Sequence, residues 1–342
     1  MSDNLLKPAC TVVILGASGY LGRALCDFFY ALPSCGVIAV SRRAPGHQAF
    51  HRHVAADVFA DDWWTQVAAP GPMVLVHCAF DFKAVGSGDL EARYAVFARN
   101  LAAAARSRLV RLIHISSMSA YAGCRTDYGR EKVYVEDLFA GLGGVSVRPG
   151  LIASWRRPGA AFEALIKHAT GAKFVPLLSA RDSGFYYCDL EAVVLGIYLL
   201  SRLRSNKPRI LSFCYRNRLT LRNTLRLIDQ RYGARSIKVP VPWQAIYPAL
   251  LVKELLIGKS KVRADSVLDF AHPNPAPLGR ALFARMVGHF RSNLAASANQ
   301  ASAPDDFLFL EGPASTSARQ SCGIEQTIEP DVFAALGRLS NP

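Results

Sequence analysis

The sequence predicts an α/β fold, a doubly wound parallel sheet with a smaller C-terminal region. Three observations carry that expectation. Short β-branched runs alternate with helix-like segments through the first 150 residues, the pattern of parallel strands joined by crossover helices. The first run ends on glycines at 16, 19 and 22 and leads straight into a helical segment. The chain has 342 residues, 51% hydrophobic and 19% charged, enough apolar surface to offset the entropy of ordering a sizeable core.

Taken in order, Thr11–Leu15 reads as a buried parallel strand and Leu21–Tyr30 as the helix after it. Gly36–Val40, Met73–His77, Leu109–Ile115 and Gly144–Val147 read as further strands, with helices at Asp61–Ala68, Leu90–Ser107 and Lys132–Phe139. Past Pro149 the pattern loosens. Helices are expected at Ala160–Ala169, Leu190–Leu203 and Leu221–Tyr232, and strands at Phe185–Cys188 and Ile210–Tyr215. An alternating Val-Pro stretch from Val239 becomes an apolar helix ending at Ile257, and short helices are expected at Ala264–Phe270 and Leu278–Phe290. The organisation expected is a first domain over 1–150, a second region over 151–290 that lends elements to the first, and a flexible tail over 291–342 with a docking helix at Asp331–Leu339.

The glycine turn is informative because a strand precedes it and a helix follows. Gly16 permits the tight turn, Gly19 lets the backbone approach a pyrophosphate, and Gly22 lets helix and strand pack closely. The helix N-terminus offers unpaired N–H groups and a positive dipole to the phosphates, with Ser18, Tyr20 and Leu21 inside the same cradle. This is the dinucleotide turn of a Rossmann domain. An acid at the end of the second strand would hold the ribose hydroxyls of NAD. Ser41, Arg42 and Arg43 stand there instead, and an arginine suits a 2′-phosphate through charge-assisted bidentate bonds. NADP is therefore the expected cofactor, with NAD second.

The Gly-x-x-Gly-x-x-Gly spacing and the wording of residues 11–22 resemble the short-chain dehydrogenase/reductase superfamily, especially its extended branch, the NAD(P)-dependent epimerase/dehydratase family. The resemblance covers about 11–203 and is clearest before Gly150. It implies an adenine contact at Asp57 and Val58, and a backbone segment along the cofactor at Cys78 and Ala79. It also implies a helix residue at Asn100, a serine past the fourth strand at Ser116, and Arg148 and Pro149 where the chain turns toward the substrate side.

Tyr128 and Lys132 are four residues apart and so share a helix face. A lysine cation near a tyrosine favours the phenolate and lowers its pKa from about 10. The phenol can then exchange a proton with a carbonyl or alcohol while hydride moves to or from nicotinamide. The resemblance adds Ser117 as hydrogen-bond partner of the reacting oxygen, with Ser116 and Ser119 as neighbouring alternatives, and gives Lys132 a hold on the nicotinamide ribose. Two departures narrow the chemistry. Only 11 positions separate Ser117 from Tyr128, where sugar-nucleotide enzymes of the family carry a longer insert; and Met118 and Ser119 replace the Asp-Glu pair of its dehydratases. Reduction and epimerisation remain, and 4,6-dehydration is not expected.

On the substrate side, Arg216, Arg218 and Arg222 are candidates to grip a diphosphate or to form a solvated basic edge, and Trp243 and Tyr247 to line a pocket or pack a helix. The function expected is that of an NAD(P)-dependent oxidoreductase or epimerase on a nucleotide sugar or similar anionic metabolite. The alternatives are a reductase of an apolar, steroid-like or flavonoid-like ketone and a non-catalytic module that senses the dinucleotide. The net charge of +14 fits anionic small molecules; the basic residues are scattered in pairs rather than gathered in an arm, which argues against nucleic acid. Eight cysteines without a Cys-x-x-Cys pair give no metal signature and suit a reducing, cytoplasmic compartment. No apolar stretch is long enough to span a bilayer. Contact of the 239–257 helix with a membrane surface, helped by Lys253, Lys259 and Lys261, is the weaker reading. The resemblance implies a homodimer.

Overall fold

A computed structural model describes residues 10–279 apart from 47, 69–70, 108–109, 180–183, 203–208, 216 and 258–262, together with 283, 332 and 335. The first half runs β1 (Cys10–Leu15), α1 (Tyr20–Tyr30), β2 (Cys35–Ser41), β3 (Arg52–Ala55), α2 (Trp64–Val67), β4 (Met73–His77), α3 (Leu90–Arg106), β5 (Val110–Ile115), α4 (Asp127–Gly141) and β6 (Val145–Pro149). The second half runs β7 (Leu151–Ala153), α5 (Ala160–Gly171), β8 (Phe174–Ser179), β9 (Tyr187–Asp189), α6 (Leu190–Arg202), β10 (Arg209–Phe213), α7 (Leu221–Tyr232), β11 (Ile237–Pro242), α8 (Trp243–Ile257) and α9 (Ala264–Ala271).

Seven strands form one parallel sheet in the order β10-β6-β5-β4-β1-β2-β3. Side chains alternate across each strand, so β1 feeds two cores at once. Val12 and Ile14 join α1 and α6 on one face, around Phe28, Phe29 and Val193. Val13 and Leu15 join α3 and α4 on the other, around Trp63, Phe97 and Phe139. Each fully buried ring of this size contributes roughly 1.5–3 kcal/mol by burial alone. The strand order reverses between β1 and β4, and that reversal opens a crevice at the carboxyl ends of the strands, where ligands of doubly wound sheets bind.

Side-chain caps fix the starts of three helices. Asp89 accepts from the Glu91 N–H at the start of α3, Thr126 from Gly129 at α4, and Thr220 from Asn223 at α7. The later elements build a third core from Phe162, Ile166, Val175, Leu177, Leu225 and Phe270, with β7 pairing β9 and β8 pairing β11.

The differences from the sequence reading have local causes. β3 buries only Val54 of its four residues, so it shows no apolar run. β7 is three residues long and β8 has a proline in its middle, which hides each of them. β10 lies well past residue 150 yet forms the edge of the first sheet against β6. Within the docking helix expected at Asp331–Leu339, Val332 and Ala335 are helical and buried in the cluster of α1 and α6; the rest of 291–342 and most of Leu278–Phe290 lie outside the described residues. Among the described residues no helix is long and apolar enough to cross a membrane.

Candidate active site

The turn after β1 is held from below. Gly16 and Ala17 donate to the Val40 carbonyl at 2.8 and 3.2 Å, and Gly19 N–H donates to the Gly16 carbonyl at 3.0 Å. Gly16 has φ +83°, and a Cβ there would lie 2.6 Å from the Ala79 nitrogen on the neighbouring strand end. At Gly22 a Cβ would lie 2.3 Å from the Gly16 oxygen. Only glycine fits either place. Gly19 is the N-cap of α1 with no side-chain cap and no acid follows in the first turn, so the helix start presents free N–H groups and an uncompensated dipole to an anion.

Above this turn lies a cavity of about 520 Å³, in the range of ligand pockets. Gly16, Ser18, Gly19, Tyr20, Leu21, Ser41, Arg42, Asp57, Val58, Cys78, Ala79, Ser116, Tyr128 and Lys132 line it. Arg42 reaches within 3.8 Å of Asp57 at the rim with its side chain 73% exposed. Ser116 Oγ is buried without a hydrogen-bond partner, a group that only a ligand or water in the cavity would satisfy. The glycine cradle and this orphaned hydroxyl fit a dinucleotide.

Other expected cofactor residues sit elsewhere. Gly22 acts behind the turn through packing. Arg43 is absent from the lining, and its carbonyl accepts from Ser41 Oγ at 2.7 Å. Asn100 is a correction: buried on α3, it accepts from Trp64 N–H at 2.8 Å and donates to the Asp61 and Val96 carbonyls, so it braces the α2 connection. Arg148 is a second correction. Its guanidinium makes a bidentate pair with Glu136 of α4 at 2.7 and 2.5 Å, both side chains buried, and so ties β6 to α4. Pro149 lines a second cavity instead of the first.

That second cavity, about 320 Å³, shares Phe82 and Tyr128 with the first. Ser117, Pro149, Leu151, Phe185, Asp269 and Phe270 are among its walls. Tyr128 therefore stands where the two spaces meet, edge-on to Phe80 at 4.9 Å and stacked on Phe82 at 5.7 Å. Its hydroxyl pKa is pushed up to about 12 by burial, and Asp269 adds to this; a hydrogen bond with Ser117 and the charge of Arg263 pull it back. The expected lowering by Lys132 is thus overturned in the chain alone: Lys132 is buried, donates from Nζ to the Ile115 carbonyl at 2.9 Å, and lies 4.6 Å over the Phe80 ring. Burial brings its own pKa down to about 8.

Sequence reasoning missed the ring of aromatics at Phe59, Phe80 and Phe82, and missed Arg263, Asp265, Asp269 and His272 on and beside α9. One signal was present for the last group. Asp265 and Asp269 are four apart in a segment read as helical, which puts both carboxylates on one face. Arg216, Lys259 and Lys261 lie outside the described residues.

The fold and the site together define a doubly wound domain with two adjoining cavities at its switch point. Residues 12–144 match the NAD dependent epimerase/dehydratase family. No curated protein matches the sequence at a significant level. Among solved structures, the fold is similar to MoeE5 in complex with UDP-glucose and NAD, at 17% identity and TM-score 0.57, over 83% of this chain and 99% of that one. It is also similar to UDP-glucuronic acid 4-epimerase from Bacillus cereus in complex with UDP-glucuronic acid and NAD, at 16% identity and TM-score 0.57, over 76% and 97%. A third is the Helicobacter pylori ADP-L-glycero-D-manno-heptose-6-epimerase, at 16% identity and TM-score 0.55, over 71% and 87%.

Proposed function

We propose that the chain is an NAD(P)-dependent oxidoreductase or epimerase of the extended short-chain dehydrogenase/reductase type, acting at a carbonyl or alcohol carbon of a nucleotide sugar or similar anionic metabolite. The observation that carries this reading is Tyr128 at the junction of the two cavities. One space is built on a phosphate cradle; the other has room for a substrate.

In this reading a bound nicotinamide dinucleotide supplies the acceptor or donor of hydride. The turn from Gly16 to Gly22 holds its diphosphate, and Lys132 holds the nicotinamide ribose. Ser117 hydrogen-bonds the reacting oxygen and Tyr128 passes the proton. The cationic nicotinamide ring of an oxidised cofactor would favour the phenolate that burial disfavours in the chain alone. Phe80 and Phe82 pack against the phenol ring and hold it between the two spaces. Arg42 at the cavity rim supports NADP over NAD, although MoeE5 and the Bacillus cereus epimerase were solved with NAD.

A second reading, reduction of an apolar ketone, is favoured by the second cavity's lining of Phe82, Met118, Leu151, Phe185 and Phe270. Competition by uridine or guanosine diphosphate discriminates the two: inhibition belongs to the first reading, none to the second.

Two measurements test the proposal. Fluorescence titration with NADPH and NADH is expected to favour NADPH at least tenfold, about 1.4 kcal/mol; preference for NADH removes the argument from Arg42. Tyr128→Phe is expected to abolish turnover while leaving dinucleotide affinity within about twofold, and retained turnover refutes the proton-transfer role.

A further inference from the structure

α9 forms part of the wall of the second cavity, and its Asp269 reaches the segments next to Ser117 and Tyr128. Asp269 Oδ2 accepts from Ser119 Oγ at 2.6 Å, and Oδ1 accepts from Thr126 Oγ1 at 3.1 Å. Ser119 N–H in turn donates to Ser117 Oγ at 3.2 Å. Thr126 caps α4, accepting from Gly129 N–H at 3.1 Å, one residue from Tyr128. The two segments touch at that point: a Cβ on Gly129 would lie 2.4 Å from the Ser119 carbonyl oxygen. The end of α9 docks on the same loop, where Tyr121 Oη donates to the His272 carbonyl at 2.8 Å and Arg125 lies 3.1 Å from His272 Nε2.

We propose that Asp269 is a positioning residue for the reaction, its carboxylate clamping Ser119 to Thr126 and so fixing Ser117 against Tyr128. The inference rests on the roles proposed above for Ser117 and Tyr128. The loop between them is short and has no helix or strand of its own, so its shape is set by what it is tied to. A carboxylate is costly to bury, and packing alone would not call for one. Both of its oxygens accept from hydroxyls, one just after Ser117 and one just before Tyr128 in the chain. The clamp also makes one wall of the substrate cavity continuous with the cap of the catalytic helix.

Protonation turns one of the two accepting oxygens into a hydroxyl donor and weakens it as an acceptor, so the clamp depends on pH. Asp269 has its pKa raised to about 6 by burial, with Asp265 adding to this and Ser119, Thr126 and Arg263 opposing it. The other charged or titratable groups facing it are Tyr121 and Tyr128, with Arg125 and His272 beyond them. His272 is held toward its neutral form by burial and by Arg125.

The test uses the full chain with Asp269→Ala and Asp269→Asn, and with Ser119→Ala as a second break in the clamp should the first variant fail to fold. Turnover is read with UDP-glucuronic acid and UDP-glucose in the presence of NADP or NAD. Asp269→Ala is expected to lower kcat at least about tenfold, the scale of a small misplacement of reacting groups, with KM and dinucleotide Kd within about twofold. Asp269→Asn should recover part of kcat and lose the acid limb of the wild-type profile, centred near pH 6. Amide exchange at 127–132 should quicken in Asp269→Ala and Ser119→Ala. An unchanged kcat, an acid limb retained in Asp269→Asn, or unchanged exchange overturns the clamp. Should the wild type turn over neither sugar, it is the substrate reading that has failed; exchange then decides alone, faster exchange upholding the clamp and unchanged exchange overturning it.

Discussion

Gly22→Ala sets two backbone effects against each other at one atom. The residue lies within α1, where alanine is favoured over glycine by roughly 1 kcal/mol. Against this, the new Cβ would lie 2.3 Å from the Gly16 oxygen, 2.9 Å from Ala17 Cα and 3.0 Å from the Gly16 carbonyl carbon. All three are backbone atoms, so no side chain can swing away, and the turn must open by about 1 Å to restore ordinary contact. Overpacking of this kind costs roughly 1–3 kcal/mol, which leaves a net loss of stability of roughly 0–2 kcal/mol. The larger effect is on binding. The displaced Gly16 carbonyl also holds Gly19 N–H, so the whole cradle moves with it. Dinucleotide affinity should fall at least about tenfold, while the melting temperature drops by only a few degrees, at roughly 2–4 °C per kcal/mol. Fluorescence titration with NADPH and thermal unfolding by circular dichroism read the two effects separately. Gly171→Ala is the control, since a Cβ there meets nothing within 4 Å. A Gly22→Ala chain that binds NADPH within about twofold of the wild type would refute the account of the turn as a rigid phosphate seat.

Two further predictions concern stability. Glu136→Gln leaves the buried Arg148 guanidinium without its counter-charge and should cost roughly 3–5 kcal/mol in chemical denaturation; a cost under about 1 kcal/mol would mean the pair is solvated. His77 and His114 stack at 5.2 Å between Phe97 and Phe139, and among the described residues three of their four ring nitrogens have no partner. Burial and Lys132 hold both pKa values well below 6.5. Below that pH the unfolded chain binds protons that the folded chain refuses, so stability should be full above 6.5 and fall with pH, by up to about 1.4 kcal/mol per pH unit for each ring. Asp269, raised to about 6, acts in the opposite sense between that value and its ordinary 3.8. Comparing wild type with His114→Phe in denaturation from pH 7 to 5 cancels the Asp269 contribution; equal slopes would sink the assignment.

What could be read from the sequence was whatever is local. The Gly16–Gly22 turn sits between a strand and a helix that are its own neighbours in the chain, and Tyr128 and Lys132 meet because a helix brings i and i+4 together. Both were legible for that reason. Asp269 lies well over a hundred residues from Ser119 and Thr126, and nothing in periodicity marks which exposed-looking acid of a short helix will end up buried against a distant cap. Arg148 and Asn100 misled for a related reason. Their positions next to the site were visible, but whether they faced the cofactor or their own scaffold depended on Glu136 and on the Asp61–Trp64 backbone. The Tyr128 pKa went the same way: the helix face shared with Lys132 was legible, the burial that raises the phenol was not.

The edge strand β10 has a consequence for how the chain is made. β6 offers its open row of N–H and C=O groups until Arg209–Phe213 arrives to pair with Val145–Pro149, and an open parallel edge is a template for pairing with another chain. At ribosomal rates of roughly 5–20 residues per second, that edge waits on the order of 3–13 s. Nascent chains crowded on one messenger would meet each other with the same edge exposed. Synthesis speed through the stretch after Pro149 therefore sets how long that edge stays open.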